Sequence, residues 1–247
     1  MKSTGNTILI TGGGTGIGRA LAHGFSDQGN TVIVTGRTRA SLNEAIAGRD
    51  TMVAYTLDMA NADEIRTFAQ EVVERHPALN VVVNNAGIMR FEDLTQARDL
   101  ADAEATIVTN LLGPIRLTNA LIAHLIAVAD SSIVNVTSGL AFVPLVSTPT
   151  YNATKAGLHS YTLSLRHQLE GKVEVIELAP PAVQTDLTPG QASREGYLPL
   201  SAYINEVIAL FAQSPTPAEI LVERVKFLRN AEAEGRFETA LAAVNSH

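Results

Sequence analysis

The sequence predicts an α/β fold in which a doubly wound parallel sheet of six strands is flanked by helices. Three observations carry this. Short β-branched or apolar runs recur at 7–11, 31–35, 52–57, 79–83, 132–136 and 172–178. Apolar residues at helical spacing fill the intervals between them, the alternation that parallel strands need for their crossovers. The run at 79–83 is almost wholly apolar, as expected of a strand buried on both faces.

Composition narrows the partners. With 247 residues, 46% hydrophobic and 17% charged, the chain has material for one large domain spanning 1–247, and no linker or low-complexity stretch divides it. A net charge of −7 without a Lys/Arg run argues against nucleic acid and for a small-molecule ligand. The absence of Cys excludes disulfides and thiolate catalysis, and the six His show no ligand spacing, so no metal is expected. The polar start, residues 1–6, leaves no room for the apolar part of a signal peptide, which makes a cytoplasmic protein the expectation. The longest uncharged run, 131–154, holds Gly139, Pro144, Pro149 and many hydroxyls, which reads as interior material and not as a membrane span.

The first strand, 7–11, runs into Gly12-Gly13-Gly14-Thr15-Gly16-Ile17-Gly18 and then a helix. Glycines at 12, 16 and 18 let the backbone turn tightly and approach a pyrophosphate lying against the amides of the helix N-terminus. After the second strand, where an acid usually meets a ribose, stands Gly36-Arg37. A guanidinium there suits a 2′-phosphate, the mark of NADP over NAD; the alternative is a solvated arginine at a helix start. Asp58-Met59 ends the third strand, and Asp58 either meets an adenine amino group or caps a loop. Asn61-Ala62-Asp63-Glu64 then reads as a capping box. Beyond the fourth strand, the small residues of Asn84-Asn85-Ala86-Gly87 allow a flat ligand to lie on the backbone.

A long helical stripe follows, with Leu100, Ala103, Ile107, Leu111 and Ile115, and with Pro114 inside it. Proline has no N–H for the carbonyl of Asn110, so a kink is expected there. Asn110 thus combines a freed carbonyl with an amide side chain and is suited to holding water, unless the kink serves packing alone. The fifth strand delivers Ser138 to the carboxyl edge of the sheet, where ligands bind in open α/β folds. Thr148-Pro149 supplies an N-cap and a first-turn proline for a helix bearing Tyr151 and Lys155. Four residues apart on one helical face, a phenol and an ammonium act on the same volume, and the cation is expected to bring the phenol's pKa down towards working pH.

Taken together, Thr11-Gly12-x-x-x-Gly16-x-Gly18, the Asn-Asn-Ala-Gly turn, Asn110, Ser138 and Tyr151-x-x-x-Lys155 resemble the short-chain dehydrogenase/reductase family over 7–187. The resemblance implies a Rossmann fold and hydride transfer between NAD(P)(H) and a carbonyl or alcohol. It implies that Ser138 hydrogen-bonds the substrate oxygen and Tyr151 gives or takes its proton. Lys155 would hold the nicotinamide ribose and lower the tyrosine pKa, while Asn110 would hold a water connecting Lys155 to solvent. Val183 and Thr185 match the positions that meet carboxamide and pyrophosphate, and Gly12, Thr15, Gly16, Ile17, Gly18, Arg37, Asp58, Met59, Asn85, Ala86 and Gly87 complete the cofactor set. The chain departs from the pattern in Pro180-Pro181, where Pro-Gly is usual, and in Thr15, where many NADP-preferring members carry a base. The expected activity is NADP-dependent reduction or oxidation of a medium-sized apolar carbonyl or alcohol. A non-catalytic sensor of the same dinucleotide is the competing reading, disfavoured by the intact Ser, Tyr and Lys.

Residues 187–215 are expected to form a substrate loop and lid helix. Thr216-Pro217-Ala218-Glu219 looks like a helix start, so 216–247 is expected to be a helical tail with no seventh strand. Without that strand, and with Leu117, Leu121, Leu125, Leu158, Leu165 and Leu169 in apparent surplus, a homodimer is the expected assembly.

Overall fold

Successive side chains of a strand point to opposite faces, and this alternation builds two cores. In the computed structural model, which describes residues 1–246, the first strand β1 (Thr7–Thr11) sends Ile8 and Ile10 to one face and Leu9 to the other. It pairs in parallel with β2 (Thr31–Gly36) on one side and β4 (Leu79–Asn84) on the other, and β3 (Met52–Thr56) lies beyond β2. The chain then continues outward through β5 (Ser132–Val136), β6 (Glu174–Leu178) and a two-residue β7 (Glu219–Ile220). The spatial order is β3-β2-β1-β4-β5-β6-β7, so the winding reverses between β1 and β4.

One core packs the sheet against α1 (Gly16–Asp27) and α7 (Leu200–Phe211), with Phe25 and Phe211 edge-on at 5.3 Å. The other packs it against α3 (Ala62–Arg75), α5 (Gly113–Ala127) and the end of α6 (Pro149–Gln168). A shorter helix, α2 (Arg39–Ile46), joins β2 to β3, and α4 (Ala101–Ile107) precedes α5. Half of the capping box at Asn61 forms: its Oδ1 accepts from the amides of Asp63 and Glu64, while its own amide donates to the Asp58 carbonyl instead of to Glu64. Glu64 reaches back to the amide of Asp58 at 3.1 Å.

Four expectations are corrected. The sheet has seven strands: Glu219 and Ile220 pair with Glu177 and Leu178, so the apparent helix start at Thr216 opens a short strand. The tail is helical only beyond it, in α8 (Lys226–Arg229) and α9 (Phe237–Val244). Around Pro114 the helix widens instead of merely bending, and a π-helical turn, Val108–Leu112, separates α4 from α5. There the amide of Gly113 reaches the carbonyl of Val108, one residue further back than in an α-helix. The leucines taken as surplus are not: Leu117, Leu121, Leu125, Leu158 and Leu169 are buried and Leu165 is half-buried. No helix of the described residues is long and apolar enough to cross a membrane.

Candidate active site

The reversal between β1 and β4 opens a cleft of about 420 Å³ at the carboxyl ends of the strands. The turn after β1 forms its floor. Gly12 and Gly16 have φ of +67° and +53°, which L-residues with a Cβ adopt only under strain. A Cβ on Gly18 would stand 2.3 Å from the carbonyl oxygen of Gly12, so this glycine brings helix and turn together, while at Gly16 the nearest atom would be Thr185 Cβ at 3.7 Å. No side chain caps the start of α1 at Thr15, leaving its first amides facing the cleft that Thr15, Gly16, Ile17 and Gly18 line.

The expected cofactor residues converge on this cleft. Gly12, Arg37, Asp58, Met59, Asn85, Ala86, Gly87, Val183 and Thr185 all line it. Arg37 is exposed, and no hydrogen bond or ion pair of its side chain is seen among the described residues. Asp58 Oδ1 accepts from the amide of Ala60 at 2.9 Å, which meets the loop-capping reading and leaves Oδ2 free for the other. Asn85 is held by Thr11, whose hydroxyl accepts from the amides of Asn85 and Ala86, each at 3.0 Å. Ser41 and Gln191 also line the cleft and were not foreseen. Ser41 lies in α2, where only its 2.9 Å approach to a Cβ built on Gly14 reveals its place. Gln191 binds the Val183 carbonyl and Thr185 hydroxyl across a loop.

Ser138, Tyr151 and Lys155 line the same cleft and are almost wholly buried, at 7%, 7% and 4% exposure. The Ser138 hydroxyl accepts from the Leu140 amide at 3.1 Å and lies near enough to Tyr151 to favour its ionised form, and Lys155 Nζ lies 5.6 Å from the tyrosine ring centre. Lys155 Nζ donates to the carbonyl of Val136 at 2.7 Å. The electrostatics differ from expectation. Burial pushes the Tyr151 phenol up to about 12, against the opposing pull of the Ser138 hydrogen bond. Burial likewise lowers Lys155 to about 8. Desolvation penalises both charged forms, and the only opposing influence on the phenol is that of Ser138.

Asn110 lies in the π-helical turn, fully buried behind the cleft and outside its lining. Its amide is committed to the strand-four loop: Oδ1 accepts from the Ile88 amide and Nδ2 donates to the Ile88 carbonyl, both at 2.8 Å. A Cβ on Gly87 would lie 3.3 Å from Asn110 Oδ1 and 3.8 Å from Lys155 Nζ, which sets Asn110 and Lys155 around the same glycine. Thr148 occupies the N-cap position of α6 but its side chain does not cap the helix. Glu92, from the loop after β4, accepts from the Thr150 amide at 3.0 Å and its hydroxyl at 2.7 Å, and is paired with Arg98 at 2.5 Å. This carboxylate sits at the positive end of the helix that carries Tyr151.

The short chain dehydrogenase family model matches residues 6–196. The chain belongs to the short-chain dehydrogenase/reductase family. Among relatives, an uncharacterized oxidoreductase, DltE, of Bacillus subtilis is 39% identical over 236 residues, spanning 94% of this chain and 93% of that protein. Sulfoacetaldehyde reductase 2 of Chromohalobacter salexigens is 31% identical over 243 residues, 93% of this chain and 96% of that protein. Among solved structures, a putative NAD(P)-dependent gluconate 5-dehydrogenase from Beutenbergia cavernae with bound NADP superposes with a TM-score of 0.78 at 25% identity, covering 92% of this chain and 98% of that one. The short-chain fold therefore extends into the tail beyond the matched residues.

Proposed function

We propose that this oxidoreductase uses NADP(H) to reduce the carbonyl of a medium-sized apolar substrate, or to oxidise the corresponding alcohol. The observation that carries the reading is the burial of Ser138, Tyr151 and Lys155 together in a cleft whose other end presents a glycine turn, a helix N-terminus and the free cation Arg37. The cleft fits a dinucleotide: glycines admit a pyrophosphate at the first turn of α1, and Arg37, Thr38 and Ser41 would receive a 2′-phosphate. Asp58 and Met59 would flank the adenine, Asn85, Ala86 and Gly87 the middle of the ligand, and Val183 and Thr185 the nicotinamide end. Lys155 would meet the nicotinamide ribose. A bound nicotinamide supplies the hydride that no side chain of this protein can provide.

The protein's own residues supply orientation and the proton. Ser138 and Tyr151 place two almost wholly buried hydroxyls in one cleft, where they would stabilise the negative charge that develops on a substrate oxygen. With its pKa raised to about 12, the phenol is protonated throughout the physiological range. In the reductive direction it can therefore donate a proton to the substrate oxygen, and in the oxidative direction it must first give that proton up. The substrate end is lined by Ile88, Leu187, Pro180 and Pro181 and also by Arg90, which is paired with Asp102 at 3.5 Å. Neutral apolar ketones and aldehydes fit this lining better than anions, and a sulfonated aldehyde is the informative contrast.

Tyr151→Phe keeps the ring and removes the exchangeable proton. Turnover of NADPH with a panel of ketones and aldehydes should fall at least about 100-fold, with NADPH binding retained. Wild-type turnover in this variant would overturn the mechanism, and preferential reduction of the sulfonated aldehyde would overturn the substrate class.

A further inference from the structure

Glu177 is a fully buried carboxylate in a strand whose neighbours are Val175, Ile176 and Leu178. A charge persists in such a place only where hydrogen bonds and opposite charges replace its water. Both oxygens are matched. Oε1 accepts from the Thr137 hydroxyl at 2.7 Å, and Oε2 lies 2.8 Å from His159 Nδ1. One proton lies between Oε2 and Nδ1. Arg229 of α8 adds a positive field, itself held by a two-point pair with Glu219 and lying over the Phe142 ring. Phe142 in turn meets His159 edge-on at 4.9 Å.

The positions of these partners give the cluster a role. Thr137 immediately precedes Ser138, and His159 stands one turn beyond Lys155 and two beyond Tyr151 on α6. Main-chain bonds from Thr137 to Leu178 and from Gly139 to Pro180, each 2.8 Å, tie the Ser138 turn to the end of β6. Neither reaches α6. Lys155 on Val136 and Asn135 on Thr162 connect α6 to deeper residues of β5. At Thr137 itself, beside Ser138, the connection runs through Glu177.

We propose that Glu177 is a positioning residue: through Thr137 and His159 it sets the end of β5 against α6, so that the Ser138 and Tyr151 hydroxyls address one substrate oxygen. This rests on the reading of Ser138 as a substrate hydrogen-bond donor. Glu177→Leu and Thr137→Val each break the connection and should lower kcat about 10- to 100-fold, the effect of a small misplacement of reacting groups. Glu177 lies outside the lining of the cleft, so KM and NADPH affinity should stay within about twofold in Glu177→Leu; Thr137 lines the cleft, so for Thr137→Val the recovery in Thr137→Ser is the deciding readout. Thr137→Ser should restore kcat, Glu177→Gln should recover most of it by keeping an acceptor for Thr137, and the double variant should lose no more than either single.

The measurements are steady-state kinetics with NADPH and the best carbonyl of the panel, NADPH binding by fluorescence, and thermal midpoints. Should Glu177→Leu not fold, the Thr137→Val and Thr137→Ser pair carries the test. The assignment is overturned if Thr137→Val keeps wild-type kcat, if Thr137→Ser fails to restore it, or if the single losses multiply in the double variant. Ser138→Ala separates the two levels of the argument. Wild-type turnover in Ser138→Ala would remove the underlying reading, whereas loss there with none in Thr137→Val removes only the role of Glu177.

Discussion

Lys155 is 4% exposed, and burial lowers its pKa from 10.5 to about 8. At about 1.4 kcal/mol per pH unit, this corresponds to roughly 3 kcal/mol by which the folded state disfavours the ammonium. The sign follows from proton counting. Between pH 8 and 10.5 the unfolded chain binds more protons at this site than the folded one, so stability rises with pH across that window. Below pH 8 the penalty is present in full. Lys155→Met keeps the aliphatic stem and removes the charge, at the loss of the 2.7 Å hydrogen bond to the Val136 carbonyl, worth about 1.5–3 kcal/mol for a charged donor. The variant should therefore be about 0–1.5 kcal/mol more stable at pH 7, a thermal midpoint up to about 6 °C higher for a chain of this size, and should fall below wild type by about pH 10. Tyr151 titrates above its ordinary value in both proteins and largely cancels in the difference. Turnover should collapse in the same variant, since one ammonium is asked to serve cofactor and proton transfer. Thermal melts of both proteins from pH 6.5 to 10 decide the matter. A variant less stable at pH 7, or a difference that does not change with pH, would refute the desolvation argument.

Arg37→Asp should weaken NADPH binding about 10- to 100-fold and shift preference to NADH, because a carboxylate repels the 2′-phosphate and accepts from a ribose hydroxyl. Titration of wild type and variant with each nucleotide checks this, and a wild-type preference for NADH would reverse the assignment of Arg37. Although β7 and the burial of the leucines remove the first grounds for a dimer, Ile107, Leu112 and Leu163 remain exposed on α4, the π-helical turn and α6, and association through them should give a homodimer. Light scattering should give twice the protomer mass; a monomer or tetramer would refute it.

Much of the chemistry is written locally in the chain. Apolar runs divided by helical periodicity determine a parallel sheet, since each pattern reports its own repeat over a few residues. The glycine turn follows β1 directly, and a spacing of four on a helix suffices to bring Tyr151 and Lys155 to one cleft. What depends on distant packing is not legible in this way. β7 is two residues long and exists because β6 offers it a partner, so no local propensity announces it. Glu92 caps α6 from 58 residues away, and Glu177 meets Thr137 from 40 away; as letters, both are ordinary acids. The phenol's shift depends on how far Tyr151 and Lys155 are withdrawn from water, and only the folded chain sets that depth. Sequence thus determined which groups share the cleft, and tertiary structure decided their charge and support, because hydrogen-bond partners and desolvation are properties of the packed interior.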